Sequence, residues 1–97
     1  MVIETFAGGA RPVYERAAES GRMLPPGLAY VDSWVDESLR RCFQLMETDD
    51  PSLLDAWTER WCDLVEFEVV PVIDGAEAAA RARRDGIARA PARSQPG

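Results

Sequence analysis

The chain contains no histidine and no lysine, and all 11 of its basic residues are arginines. The absence of histidine excludes Ser-His-Asp triads, histidine-containing zinc sites and a histidine haem ligand. The absence of lysine excludes Schiff-base chemistry. Arginine stays charged and forms ion pairs rather than transferring protons. Any catalytic role must therefore be sought among the other side chains.

Cysteine is scarce and long apolar runs are absent. Cys42 and Cys62 are the two cysteines, they fit no CxxC spacing, and we expect free thiols in a reducing compartment. No apolar run approaches the roughly 20 residues of a transmembrane helix. The stretch from Met1 to Gly9 carries Glu4 where a secretory signal has basic residues before a long apolar segment. These features predict a cytoplasmic protein without a membrane partner.

The composition is that of one globular domain, with 97 residues, 46% of them hydrophobic and 29% charged. The net charge is −6, and the acidic residues are concentrated in residues 1–80. The arginines of residues 81–97 are interspersed with proline, serine and glycine, so residues 85–97 are predicted to be a disordered tail. No nucleic-acid partner is expected, since the domain itself is acidic.

Local patterns predict four strands and two main helices. Val2, Ile3 and Phe6 indicate a first strand that Gly8 and Gly9 terminate. The remaining segments show helical spacing, β-branched or aromatic content, or an Asp-Pro helix start. They are a helix over 10–22, a strand over 28–36, a strand over 41–48, a helix from Asp50-Pro51 to about Leu64, a strand over 65–73 and a short helix over 76–84.

This order, β-α-β-β-α-β, predicts an α+β, ferredoxin-like fold over residues 1–80, followed by the short helix to about residue 84. Right-handed crossovers place both main helices on one face of a four-stranded antiparallel sheet. The opposite face is then uncovered in a single copy of the chain.

Alternation along the strands divides their side chains into two sets, one for each face. We assign the more apolar set to the helices: Ile3, Val31, Val35, Phe43, Leu45, Phe67, Val69 and Ile73. The other set, which is assigned to the uncovered face, mixes aromatic, aliphatic and acidic residues: Val2, Glu4, Phe6, Leu28, Tyr30, Asp32, Trp34, Cys42, Gln44, Met46, Glu66, Glu68, Val70 and Val72. A face of this composition predicts a homodimer whose sheets pack together as an α/β barrel.

The cavity between the two sheets is the predicted small-molecule site. Its candidate ligand-binding residues are Glu4, Tyr30, Asp32, Trp34, Gln44, Met46 and Glu68. An alternative is that the acids face solvent or pair with arginines. The candidate catalytic residues are Asp32 or Glu68 as a base and Tyr30 as a hydrogen-bond donor. No cofactor and no metal site is expected, and Trp57 and Trp61 are predicted to be core residues.

Several stretches resemble a known family. They are Met1–Phe6, Val13–Arg16, Gly21–Pro25, Tyr30–Val35, Arg41–Asp49, Trp57–Trp61, Asp63–Val72 and Asp74–Ala79. Together they resemble the bacterial domain-of-unknown-function family 3303, whose members look like ferredoxin-like domains of the dimeric α/β-barrel type. The resemblance implies the same fold and lends no reaction.

Two functional hypotheses follow. The first is an uncharacterised homodimeric α/β-barrel protein that binds a small molecule between its sheets. The alternative is a cofactor-independent enzyme of monooxygenase or isomerase type. The sequence leaves open whether the chain is an enzyme.

Overall fold

The computed structural model describes residues 1–84 and confirms the predicted order of strands and helices. The elements are β1 (Val2–Phe6), α1 (Ala10–Ser20), β2 (Ala29–Val35), β3 (Arg41–Glu47), α2 (Ser52–Glu59), β4 (Val65–Val69) and α3 (Gly75–Arg84). The predicted tail, residues 85–97, lies outside the described residues. The first six elements form the ferredoxin-like β-α-β-β-α-β unit, and α3 follows it.

The four strands form one antiparallel sheet in the order β2-β3-β1-β4. In β1, Glu4 lies opposite Cys42 of β3 on one side and opposite Phe67 of β4 on the other. Directly opposed residues of antiparallel strands share a face of the sheet. The register therefore fixes which side chains of the three strands lie together.

A β-bulge interrupts β2 between Tyr30 and Asp32. Tyr30 lies opposite Met46, whereas Asp32 lies opposite Leu45, so one extra residue of β2 is accommodated here. Residues of β2 after the bulge are consequently shifted by one position relative to strict alternation. Ser33 and Val35 share the face of Gln44 and Cys42, whereas Asp32 and Trp34 share the face of Leu45 and Phe43.

A glycine lies at each end of α1, and turns follow α2. Gly9 and Gly21 flank α1 with φ of 89° and 69°, a left-handed region that glycine enters without the steric penalty of a Cβ atom. At the start of α2, the Asp50 carboxylate accepts hydrogen bonds from the backbone and hydroxyl of Ser52. The helix ends at Glu59, earlier than predicted, and backbone turns carry the chain through Trp61 to Leu64.

The hydrophobic core lies between the sheet and the helices α1 and α2. Its buried hydrophobic residues are Val2, Phe6, Val13, Leu28, Cys42, Trp57, Trp61 and Val65. This corrects the assignment of the faces for β1 and β3, where the set expected on the uncovered face packs against the helices. For β4 the assignment of Phe67 is confirmed, because its ring lies 5.6 Å from that of Trp57.

The other face of the sheet is open in the single chain, and we call it the open face. It carries Ile3, Thr5, Val31, Asp32, Trp34, Arg41, Phe43, Leu45, Glu66 and Glu68. Four residues were expected under the helices and instead lie here: Ile3, Phe43 and Leu45, which are half-buried by their neighbours, and Val31, which is exposed. α3 has no buried residue.

Candidate functional site

A cavity of about 280 Å³ lies on the helix side of the sheet, and we call it the helix-side cavity. Its floor comes from β1, β2 and β3, and its walls come from α1, α2 and the turn that follows α2. Aromatic side chains dominate the walls, while the floor contributes a carboxyl group, an amide and a thiol: Phe6, Tyr14, Trp57 and Trp61, then Glu4, Gln44 and Cys42. The cavity therefore combines an apolar enclosure with a small set of polar groups, as small-molecule sites do.

The polar floor is a product of strand pairing. Glu4 and Cys42 are opposed across β1 and β3, and Gln44, two residues along β3, opposes Val2. Side chains two residues apart on a strand point to the same face. The alternation that buries Val2 and Phe6 in the core therefore buries Glu4 between them.

Glu4 is the buried acid of the site. Glu4 is 7% exposed, and none of the ion pairs within residues 1–84 involves it. Loss of hydration disfavours the charged form of the carboxyl group, whereas the positive charge of Arg22 favours it. Burial dominates and raises the pKa of Glu4 to about 7. Near neutral pH this group is thus divided between its acid and its carboxylate.

Gln44 and the Tyr30–Ser33 pair supply the neutral polar groups. The Gln44 Nε2 donates to the Met46 sulfur at 3.2 Å, a weak acceptor, and the residue is buried. The hydroxyl oxygens of Tyr30 and Ser33 are 2.7 Å apart. Ser33 lines the cavity, and Tyr30 is hydrogen-bonded to it from beside the cavity.

The turn after α1 is held against α2 and the turn that follows it, and forms one edge of the cavity. The indole N–H groups of Trp57 and Trp61 both donate to the carbonyl oxygen of Arg22, at 2.9 and 3.1 Å. Arg60 donates to the carbonyl oxygen of Met23, which holds a φ of 59°. The Arg22 side chain is fixed too, because its guanidinium carbon lies 3.5 Å from the centre of the Tyr30 ring.

Cys42 is a buried thiol in the floor, beside Glu4. Burial, followed by the negative charge of Glu4, raises the pKa of Cys42 to about 11. Burial also raises the pKa of Tyr14 on the cavity wall. Both groups are consequently neutral at physiological pH, and neither is a ready nucleophile or base.

The predicted site residues are divided between the two faces of the sheet. Glu4 and Gln44 line the helix-side cavity, and Tyr30 and Met46 lie on the same face beside it. Asp32, Trp34 and Glu68 are exposed on the open face. Of the candidate catalytic residues, Tyr30 alone is therefore near the cavity.

Sequence reasoning missed most of the cavity wall. Trp57 and Trp61 were predicted as core residues, and they are buried, but they also line the cavity. Their helical spacing indicates a buried face and carries no signal that the face adjoins a cavity. The sequence suggested Arg22 only as one of four possible ion-pair partners of the acids, because its position depends on a turn held by tertiary hydrogen bonds.

Within residues 1–84, no group of three or more cysteine, aspartate and glutamate side chains is arranged to hold a metal ion. No helix among these residues has both the length and the apolar character needed to cross a membrane.

Comparison with known proteins identifies the family. No curated protein matches the chain, and no solved structure matches it. The chain does match a domain of unknown function, DUF3303, over residues 1–85, which includes every strand and helix described above. The chain therefore belongs to the domain-of-unknown-function family DUF3303.

Proposed function

We propose that this protein binds a small molecule in the helix-side cavity. The observation that carries the proposal is Glu4, a buried carboxyl group that faces the cavity without an ion-pair partner among the described residues. An unpaired buried acid destabilises the fold. Such a group is common where a ligand or substrate completes its surroundings.

The size and lining of the cavity define the ligand class. A volume of about 280 Å³ lies just below the range of about 300–1,000 Å³ typical of ligand pockets, and it exceeds the roughly 150 Å³ in which an engineered apolar cavity holds benzene. The four aromatic walls favour a flat or compact apolar body. We therefore propose a ligand the size of one substituted ring, with a polar group that reaches Glu4 or Gln44.

A cavity-filling variant tests this proposal with benzyl alcohol as the probe. Ala17→Leu adds volume inside the cavity, whereas Ala18→Leu makes the same change at the exposed neighbouring position of α1. We expect benzyl alcohol to change the fluorescence of Trp57 and Trp61 saturably in the wild type and in Ala18→Leu. The response should be lost in Ala17→Leu. Equal responses in all three proteins, or none in any, would show that the cavity is not a binding site.

We also propose that the protein is a homodimer that pairs through the open face, with a second copy of the chain as the occupant. Trp34 and Val31 are each 52% exposed there, and Phe43 and Leu45 adjoin them. An exposed apolar patch on a sheet is typical of an interface. The face is also self-complementary in charge, because Arg41 lies on β3 while acids lie on β4: Glu66 and Glu68.

Native mass spectrometry and sedimentation equilibrium test the dimer. We expect a dimer for the wild type and a monomer for Trp34→Asp, because the change removes an aromatic contact and places a charge in the buried interface. Leu39→Glu is the control, since Leu39 is equally exposed but lies in the turn between β2 and β3. A wild-type monomer, or a Trp34→Asp dimer of unchanged affinity, would overturn the proposal.

A second candidate function is proton transfer of the isomerase type, with Glu4 as the acid–base group. The pKa of Glu4, raised to about 7, is close to the value at which a general base is most effective near neutrality. Asp32 and Glu68, the bases suggested by the sequence, lie on the other face and away from the cavity. The carboxylate would take a proton from a carbon next to a carbonyl group, leaving an enolate, and would return it to that intermediate.

Hydrogen exchange of a model ketone tests this activity. In deuterated water, the protein should speed the replacement of the α-hydrogens of phenylacetone by deuterium, as followed by NMR. Glu4→Gln should abolish the acceleration and Glu68→Gln should retain it. Equal rates with and without the wild-type protein would dismiss proton transfer for this ketone while leaving the binding proposal intact.

A further inference from the structure

The helix-side cavity contains a buried carboxyl group, Glu4, that has no ion-pair partner within residues 1–84. Glu4 forms no ion pair with Arg22, although Arg22 lines the same cavity. The guanidinium group of Arg22 is instead stacked on Tyr30, 3.5 Å from the ring centre to the guanidinium carbon. A carboxylate buried in this way is strongly stabilised by a partner of opposite charge.

The aromatic part of the cavity lining favours positive charge, whereas the charge of Arg22 opposes it. Phe6, Tyr14, Trp57 and Trp61 line the cavity, and aromatic rings attract cations through the negative potential of their faces. The N–H groups of both tryptophans are already bonded to the Arg22 carbonyl oxygen, so the indoles contribute ring surface rather than donors. The net charge of −6 adds a weaker, long-range attraction for cations.

We infer that the ligand of the helix-side cavity is a small organic cation, a primary amine on a ring-sized apolar body, whose ammonium group pairs with Glu4. This inference rests on the proposed function, since it assumes that the cavity binds a ligand. It adds the charge of the ligand and the residue that selects it.

Glu4 makes the binding of a cation in this cavity depend on pH. Three titratable or charged groups face Glu4: Cys42 from β3, Tyr14 from α1 and Arg22 from the turn after α1. The other elements around Glu4 contribute side chains that do not titrate, namely Phe67 from β4 and the tryptophans of α2 and its following turn. The pKa values of Cys42 and Tyr14 are raised, and Arg22 remains charged. Glu4 is therefore the group among them that changes charge near neutrality.

An ammonium ligand binds the ionised form of Glu4 preferentially. With a pKa of about 7, the ionised fraction rises about tenfold between pH 6 and pH 8. The affinity for an amine that stays protonated over this range should rise by the same factor of about ten. A neutral ligand that accepts a hydrogen bond from the protonated acid would show the opposite trend.

Three probes of one shape test the inference: benzylamine, benzyl alcohol and benzoate. Binding to the full-length protein is measured by calorimetry and tryptophan fluorescence at pH 6, 7 and 8. We expect benzylamine to bind most tightly, with an affinity that rises about tenfold from pH 6 to pH 8. Glu4→Gln should weaken benzylamine at least tenfold and leave benzyl alcohol within about twofold. Glu68→Gln, the same change on the open face, should alter the affinity for neither benzylamine nor benzyl alcohol.

The outcomes separate this inference from the proposal beneath it. If benzyl alcohol or benzoate binds the wild type more tightly than benzylamine, the cavity is a ligand site but does not select a cation. The same holds if Glu4→Gln binds benzylamine unchanged, or if the wild-type affinity does not rise with pH. If none of the three probes binds, both the inference and the proposed function fail. The wild-type pH series decides the matter even if Glu4→Gln does not fold.

Discussion

Glu4 and Glu68 lie on the adjacent strands β1 and β4, one on each face of the same sheet. Glu4 is covered by α1 and α2, its residue is 7% exposed, and burial raises its pKa to about 7. Glu68 is exposed on the open face. The helices therefore bury one of the two glutamates and leave the other exposed.

The tryptophans show the same contrast. Trp57 is 3% exposed and donates a hydrogen bond to Arg22, whereas Trp34 is 52% exposed on the open face. The first stabilises the fold of one chain, and the second is available to a second chain. The comparison between the two faces is therefore a comparison between a folded interior and an exposed apolar surface, the one we propose for the dimer.

The largest expected effect that tests this contrast is on the free energy of unfolding. Trp57→Ala should lower it by about 3–5 kcal/mol, because the change leaves a cavity and removes a hydrogen bond. Trp34→Ala should change the stability of the monomer by less than about 1 kcal/mol. Urea denaturation at several protein concentrations separates the stability of the monomer from any contribution of a dimer, because the dimer contribution depends on concentration. Equal losses at the lowest concentration would show that Trp34 belongs to the core.

The next effect is the pH dependence of stability that Glu4 produces. Its pKa is about 7 in the folded protein and near 4.5 when solvated, so the fold prefers the protonated form. Its contribution is most favourable below pH 4.5 and is lost as the pH rises towards 7. The stability of Glu4→Gln relative to the wild type should therefore increase by about 2 kcal/mol between pH 5 and pH 8.

Glu68→Gln provides the matched control on the open face. The free energy of unfolding of Glu68→Gln relative to the wild type should change by less than about 0.5 kcal/mol between pH 5 and pH 8, because the Glu68 side chain is exposed. Thermal or urea unfolding of the three proteins at pH 5, 6, 7 and 8 supplies the measurement. Parallel curves for the wild type and Glu4→Gln would mean that Glu4 is solvated in the folded protein.

The contrast between the faces also explains what the sequence could predict. The order of strands and helices follows from local signals, such as Gly8-Gly9 after β1 and Asp50-Pro51 before α2, and it was predicted correctly. Alternation also sorted β1 and β3 into the right two sets of side chains. It could not say which set faces the helices, since that choice depends on tertiary packing.

The wrong choice for β1 and β3 has a physical origin in Glu4 and Gln44. Polar side chains at alternate positions normally mark a solvated face, and here they mark a cavity inside the domain. The bulge after Tyr30 then separated Tyr30 from Asp32 and Trp34, which simple alternation had placed together. The predicted site was thereby split between the two faces, and of its residues Glu4 and Gln44 line the helix-side cavity.

The smallest effect that we predict concerns the two cysteines. Cys42 is buried in the cavity floor, and Cys62 is exposed in the turn after α2. Burial raises the pKa of Cys42 to about 11, so at pH 8 about one molecule in a thousand carries its thiolate, the reactive form. A thiol reagent should therefore modify Cys42 at least about tenfold more slowly than Cys62 in the native protein.

Mass spectrometry of Cys62→Ser and Cys42→Ser gives the rate for each remaining thiol separately. In urea the two rates should converge, because unfolding removes the burial that distinguishes them. Saturating benzyl alcohol should slow the reaction of Cys42 further and leave that of Cys62 unchanged, since Cys42 alone lines the cavity. If native Cys42 reacts as fast as Cys62, the floor of the cavity is open to solvent. Glu4, beside Cys42 on the same floor, would then be as accessible to solvent as Glu68 is on the open face.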